Sequence, residues 1–512
     1  MCGIAAVYLF DKKGGDKERD GSRGKEKNVV PYQQDMLLQL QHRGQKSVGF
    51  TTYNSDREMR IESYRGLGMV NAVFKEGDRE ENKKIIEKFR GTIGLGHVRY
   101  ATSGERVGSD VEQYSIQPFE SHGNFLTWDW FAFAFNGNIS NYKELEGRFL
   151  SEGHYFPRRV DTELIRRWLR IEHTNSKSKP DLTDLFSKFS KEFEGAYSMV
   201  FLNGEEDLAV VRDPKGVMPL CYGFNEDFFA AASESVALER LGLERREIKD
   251  VGPGEIITVG KDRRINISQF STSNELAHCI FQYVYFAKSV SVIDGVSVSI
   301  SRRNLGRSLA DIVSEAIPDA RNNSEYLVVH APRTAEPAAK ALADALGLRE
   351  ESALEVVEAA PRSFINEKTD ITKVLDGKFV VHDELTAEKK VILVDDSIIR
   401  GNTSKKLIKL LKERGQAKEV HLVSTFYQIR HPCYMGIDFA TYDELIAAKN
   451  DGDVRKIARQ IGADSVIYQT HQGVIDAVGK EGVCTACYTG EYPFPSAQKR
   501  ALEARMEFEA ER

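Results

Sequence analysis

The chain has 512 residues, of which 41% are hydrophobic and 29% charged, with a formal net charge of −6. This is the composition of a soluble globular protein, long enough for about two to four domains. The negative balance gives no general electrostatic drive toward nucleic acid or anionic membrane. No stretch approaches the roughly 18 apolar residues of a membrane span, and no basic flank with a long apolar run marks a secretory signal. A cytoplasmic location is the expectation, and there the six cysteines suit catalysis or metal binding better than disulfides.

The chain opens Met1-Cys2-Gly3. Removal of Met1 would leave a thiol and an α-amine on one residue, and an amine titrating near about 8 can serve as the thiol's general base. Cys2 reads equally as the start of a buried strand over 4–8. Residues 11–28 read as a solvated hairpin loop or insertion, and 173–181 as an exposed loop. The stretches 196–202 and 228–232 read as core strands. Short apolar runs and frequent Gly turns up to about residue 270 predict layered antiparallel sheets flanked by helices. Beyond about 275 strands and helices alternate: a strand at 326–330, a helix over 336–346, a strand at 391–394, a helix over 404–414, a strand at 419–424. That rhythm predicts a parallel α/β sheet. A terminal helix follows from about 495, and no internal repeat is present.

The strongest local signal of the second half is the string from Val391 to Ser404, VILVDDSIIRGNTS. An apolar strand ends in Asp395 and Asp396, and a short loop with Ser397, Arg400, Gly401, Asn402, Thr403 and Ser404 opens a helix. Amides and hydroxyls at a helix N-terminus suit a phosphate, and the paired acids suit ribose hydroxyls or Mg²⁺. An acidic N-cap on an ordinary strand–helix unit is the plainer alternative.

This string resembles the phosphoribosyl pyrophosphate motif of the type I phosphoribosyltransferases. With Cys2 at the start, the chain is similar over nearly its whole length to the glutamine phosphoribosyl pyrophosphate amidotransferases. Four further strings carry the likeness: 40–45 (LQHRGQ), 96–104 (GHVRYATSG), 136–141 (NGNISN) and 161–163 (DTE). The resemblance implies Cys2 as the nucleophile that forms a thioester with glutamine. Asn136 and the Gly137 amide would hold the oxyanion. Arg99 would take the α-carboxylate and Asp161 the α-ammonium, with Arg43 and Thr102 completing the glutamine site. Each has a plainer alternative: Arg99 a surface ion pair, Asn136-Gly137 a tight turn, Asp161 a helix N-cap.

Cys484 and Cys487 form a C-x-x-C, which alone reads as a redox pair, half a zinc site or part of an iron–sulfur site. The segments around Cys279, Cys433 and Cys484-Cys487 resemble those carrying ligands in the iron–sulfur branch of the family. The resemblance therefore implies a structural [4Fe–4S] cluster on these four, with Cys221 a small core residue. Zinc would leave the protein colourless, whereas a cluster would colour it brown.

The implied architecture is a two-domain combination of α+β and α/β folds. An N-terminal αββα sandwich of the N-terminal nucleophile hydrolase class spans 2–272, and a type I phosphoribosyltransferase domain spans 273–470. A C-terminal segment over 471–512 carries the last two cluster cysteines and the terminal helix. The implied reaction releases ammonia from glutamine and transfers it to C1 of phosphoribosyl pyrophosphate, giving 5-phosphoribosylamine for purine synthesis. Glutamine hydrolysis should then quicken when that acceptor is added. Mg²⁺ would lie at Thr334, Asp395 and Asp396. Purine nucleotides are expected as feedback inhibitors, and a homodimer or homotetramer as the assembly.

The second half also departs from the family. Its pyrophosphate loop usually reads Pro-Asp/Glu-Ser/Thr, and here it is Pro332-Arg333-Thr334. The flexible loop usually carries Lys-Asn-Arg-Tyr, and here 356–359 is VVEA. Paired arginines expected near Thr372-Lys373 are absent, although Lys378 remains among the acceptor-binding candidates. Lost phosphate contacts at about 1.5–3 kcal/mol each leave room for a different phosphorylated acceptor, or for a non-catalytic nucleotide-binding role. Arg333 and Lys373 are candidate replacements.

Overall fold

A computed structural model of the chain describes residues 1–10, 27–100, 115–123, 126–156, 160–356, 379–438 and 441–510. Most of the 11–28 loop, Thr102, Lys378 and nearly all of the flexible loop lie outside the described residues.

The first half is a sandwich of two antiparallel sheets. The strand Gly3–Leu9 lies inside a seven-stranded sheet, between Phe228–Ala232 on one side and Ile93–Arg99 on the other. Its side chains alternate between two cores, which explains why the whole strand is apolar. Ile4, Ala6 and Tyr8 face the second sheet, while Ala5, Val7 and Leu9 face the helix Val30–Leu40. The second sheet has six strands and centres on the pair Phe131–Ile139 and Gly195–Asn203. Its outer face packs on the helices Tyr142–Ser151, Asp161–Asn175 and Leu182–Glu192. The layers are helix, sheet, sheet, helix.

The second half is a five-stranded parallel sheet of strands Arg349–Glu351, Tyr326–His330, Lys390–Asp395, Glu419–Ser424 and Ser465–Tyr468, in that order. Helices cover both faces. Glu336–Leu346 packs on one, and Asn402–Glu413 with Val454–Ile461 on the other. Asp395 stands at the carboxyl end of the central strand, where open α/β sheets bind ligands.

Three details differ from the sequence expectations. The segment 173–181 is not loop throughout: the helix runs to Asn175, and His173 is 1% exposed because its Nδ1 bonds the Leu169 carbonyl and its ring stacks among Phe131 and Phe201. The phosphate-loop helix begins at Asn402, directly after the loop, since Gly401 supplies the positive φ of 75° that ends it. The C-terminal segment is woven back into the molecule. Cys279 and Cys484 pair in register in a short parallel ladder, and the helix Pro495–Ala510 docks on the sandwich through Ser496, which bonds Ser140 and Glu194. No helix among the described residues is long and apolar enough to cross a membrane.

Candidate active site

The first centre lies where Cys2, directly ahead of the strand Gly3–Leu9, meets the second sheet. The Cys2 amide N–H donates to Asn136 Oδ1 at 3.1 Å. Since that oxygen is the acceptor, the Asn136 amide nitrogen points elsewhere, and it is buried without a hydrogen-bond partner. A buried, unmade donor beside a thiol suits an oxyanion that forms only during reaction. Asn136 and Gly137 lie within the strand Phe131–Ile139, so the tight-turn reading falls. A Cβ on Gly137 would stand 2.0 Å from the Ala196 carbonyl, which explains the glycine.

Asp161 is the first residue of its helix and Val160 holds the N-cap position, so the N-cap reading of Asp161 falls. Its carboxylate accepts from the Thr162 amide at 2.8 Å and, across to the Asn136 strand, from the Ile139 amide at 3.4 Å. Full burial raises its pKa to about 6, against the pull of those amides. Arg99 ends its strand and is 7% exposed, which removes the surface ion-pair reading. The Arg43 guanidinium is wholly buried and engaged by Glu234, by Gln282 Oε1 at 2.9 Å and by the Met1 sulfur at 3.5 Å. Glu234 and Gln282 hold two of its nitrogens in place beside the nucleophile, and the third is released once Met1 is removed.

The second centre is a cavity of about 620 Å³ at the carboxyl end of the parallel sheet. Asp395, Asp396, Ser397 and the run from Arg400 to Ser404 all line it, as do Arg333 and Thr334. Asp396 accepts from Ser397 Oγ at 2.8 Å and from Thr334 Oγ1. Burial pushes both carboxyls above the usual range, and the Asp396 charge raises Asp395 further, so the pair favours a cation or hydroxyl donors. Arg400 departs from a phosphate role in part, since it bonds Glu444 Oε2 at 2.8 Å. Arg302, which sequence reasoning missed, also lines the cavity, but its guanidinium is consumed by the Tyr283, Tyr285 and Ala287 carbonyls and by Ser289. Arg333 has a φ of 95° and makes no ion pair or hydrogen bond with the described residues. A non-glycine residue there carries about 1–3 kcal/mol of strain, a cost typical of functional loops.

All four candidate cluster cysteines are reduced and largely enclosed. Cys279, Cys484 and Cys487 come together with Cys433 in one apolar cluster with Phe281, Tyr434, Tyr488 and Tyr492. Burial, followed by the neighbouring thiols, raises the Cys279 and Cys487 pKa values. Among the described residues no three His, Cys, Asp or Glu side chains converge as ligands of a single metal ion. A tetranuclear cluster does not require that convergence, because each iron takes one thiolate. Cys221 stands apart, buried, with its thiol on the Ala232 carbonyl at 3.3 Å.

Comparison with known proteins places the whole chain. A glutamine amidotransferase domain profile matches residues 105–240. The amidophosphoribosyltransferase of Methanothermobacter thermautotrophicus is 35% identical over 500 residues, covering 96% of this chain and 94% of that protein. The chain belongs to the amidophosphoribosyltransferase family. Other amidophosphoribosyltransferases match similarly: that of Archaeoglobus fulgidus is 35% identical over 96% of this chain, and that of Homo sapiens 33% identical over 89%. The Bacillus subtilis glutamine phosphoribosylpyrophosphate amidotransferase, solved with ADP and GMP, superposes with a TM-score of 0.78 and 28% identity. It covers 97% of this chain and 98% of its own.

Proposed function

We infer that this chain cleaves glutamine at Cys2 and delivers the ammonia to C1 of phosphoribosyl pyrophosphate. The observation that carries the first half is the unpartnered Asn136 amide beside Cys2. With Met1 removed, the amine of Cys2 would stand at the position now bonded to Asn136 Oδ1, able to take the thiol proton. The thiolate attacks the side-chain carbonyl of glutamine. Asn136 and the Gly137 amide stabilise the oxyanion, ammonia departs, and water hydrolyses the thioester to glutamate. Asp161 and Arg99 hold the amino-acid end.

In the cavity, the loop from Ser397 to Ser404 receives the 5′-phosphate on its amides and hydroxyls. Asp395 and Asp396 take the ribose hydroxyls, and Arg333 faces the diphosphate. The ammonia lone pair forms the N–C1 bond as the C1–O bond breaks and pyrophosphate leaves. Mg²⁺, held by Asp395 and Asp396 beside Thr334, would neutralise charge on that leaving group. A [4Fe–4S] cluster on Cys279, Cys433, Cys484 and Cys487 would bind three chain segments together as a structural centre. The soft four-thiolate donor set and the apolar shell support it. Feedback by purine nucleotides, a dimeric or tetrameric assembly and a cytoplasmic location complete the proposal.

Anaerobic incubation with glutamine, Mg²⁺ and phosphoribosyl pyrophosphate tests the reading. Pyrophosphate and 5-phosphoribosylamine should form together, and Cys2→Ala should keep the reaction only when ammonium replaces glutamine. Glutamate release without pyrophosphate would instead favour another phosphorylated acceptor.

A further inference from the structure

Glu234 is 1% exposed and belongs to none of the assigned sites. Its two carboxylate oxygens serve the two halves of the molecule separately. Oε1 accepts from His42 Nε2 at 2.7 Å and from Arg43 Nε, both in the sandwich. Oε2 accepts from the Lys288 amide at 2.9 Å and from Ser291 Oγ at 2.7 Å, both in the segment that enters the second half. Burial alone would raise its pKa, but the Arg43 guanidinium with His42 and Ser291 holds the carboxyl far below its usual range. It is a fixed anion with all its strong acceptor positions used.

Both ends of this knot reach a reactive centre. On the acceptor side, His42, Lys288 and Ser289 line the cavity, and His42 Nδ1 is buried without a partner. Because a carboxylate can only accept, His42 Nε2 carries the proton, and Nδ1 is the ring atom left open. On the glutaminase side, Arg43 Cδ would stand 3.3 Å from a Cβ on Gly3, the residue after Cys2. Ser233, next to Glu234 in sequence, bonds Ile4 twice: the Ile4 amide donates to its hydroxyl at 3.0 Å, and its own amide donates to the Ile4 carbonyl at 3.1 Å. The strand that follows Cys2 is therefore clamped on the residue beside Glu234.

We propose that Glu234 is a positioning residue that couples filling of the acceptor cavity to the placement of Cys2. This rests on the function proposed above. An anionic diphosphate in the cavity attracts the Lys288 ammonium, which in its absence bonds Gln39 at 2.9 Å, and shifts segment 288–291. The Oε2 contacts carry that shift to Glu234. From there Arg43 and the Ser233–Ile4 clamp carry it to the nucleophile. The differential contact is the anion's pull on the cavity wall, present only when the acceptor is bound.

The test compares the full chain with Ser291→Ala and Glu234→Gln. Three rates are read: glutaminase alone, glutaminase with phosphoribosyl pyrophosphate, and pyrophosphate release driven by ammonium. The inference expects the acceptor's stimulation of glutaminase to fall by about fivefold or more in both variants, while the other two rates hold. Ser291→Ala removes one hydroxyl and guards against a Glu234→Gln chain that does not fold. Unchanged stimulation in Ser291→Ala overturns the inference, as does an equal loss of all three rates, which marks a merely structural knot. A wild-type chain that releases pyrophosphate without stimulation also overturns it. A wild-type chain that releases no pyrophosphate overturns the proposed function instead.

Discussion

Asp161 shows how one residue trades stability for binding. Its folded pKa of about 6 lies above the unfolded value of about 3.9. Between those values the folded chain holds a proton that the unfolded chain has released, so stability falls as pH rises through that window, by about 3 kcal/mol. Asp161→Asn removes the buried charge, and thermal unfolding at neutral pH should shift upward. The same change should raise the KM for glutamine by about tenfold or more, the loss of one charge-assisted bond to the α-ammonium. In the wild type, that KM should fall as pH rises through about 6. A KM that ignores both the substitution and pH would contradict the assignment. Cys2, Asn136, Arg99 and Asp161 were legible in the sequence because each sits in a short motif with a chemical reason. The ion pair of Arg43 with Glu234 was not legible, because the two stand far apart in sequence.

The phosphate loop is an element whose geometry depends on a single backbone position. Gly401 has a φ of 75°, and a Cβ there would stand 2.7 Å from Ile446 Cδ1. Gly401→Ala should therefore tilt the start of helix Asn402–Glu413 and raise the KM for phosphoribosyl pyrophosphate, leaving basal glutaminase intact. Arg333→Glu should raise the same KM by about tenfold to a hundredfold in the ammonium-driven reaction, by losing one cationic contact with the diphosphate and adding repulsion. An unchanged KM in Arg333→Glu would show that the diphosphate lies elsewhere. Strands with β-rich apolar runs were read closely: Phe228–Ala232 and Tyr326–His330 match to the residue. The helix Asp161–Asn175 was cut short because its last turn is polar in sequence, although tertiary packing buries His173. Arg302 gave no signal at all, since a buried arginine that satisfies carbonyls looks in sequence like any charged helix residue.

At the scale of the whole molecule, the two halves are pinned at several buried points. Arg212 bonds Asp294 through both guanidinium nitrogens at 2.6 and 2.9 Å, and Asn138 Nδ2 donates to the Tyr434 carbonyl at 2.6 Å. Gly436 packs on Gly137, with a Cβ there 3.2 Å from the Gly137 carbonyl carbon. The Cys433 segment thus lies directly against the oxyanion strand. Cys433→Ser should yield a protein with less iron and weaker visible absorbance after anaerobic purification, and with lower glutaminase activity than ammonium-driven synthase activity. A colourless, iron-free wild type with full activity would remove the cluster from the account. These pins were invisible in the sequence, because contacts between halves join residues hundreds of positions apart that share no periodicity. The two-part organisation itself was legible from the change of rhythm near residue 275. Glutamine cleavage at Cys2 and amination of phosphoribosyl pyrophosphate on one chain form a single linked prediction. It is tested most directly by supplying amide-labelled glutamine with excess unlabelled ammonium, below its effective concentration for direct synthesis, and counting glutamate, pyrophosphate and label together. Equal glutamate and pyrophosphate are expected, with the label retained in 5-phosphoribosylamine. Glutamate formed without pyrophosphate, or product carrying no label, would contradict it.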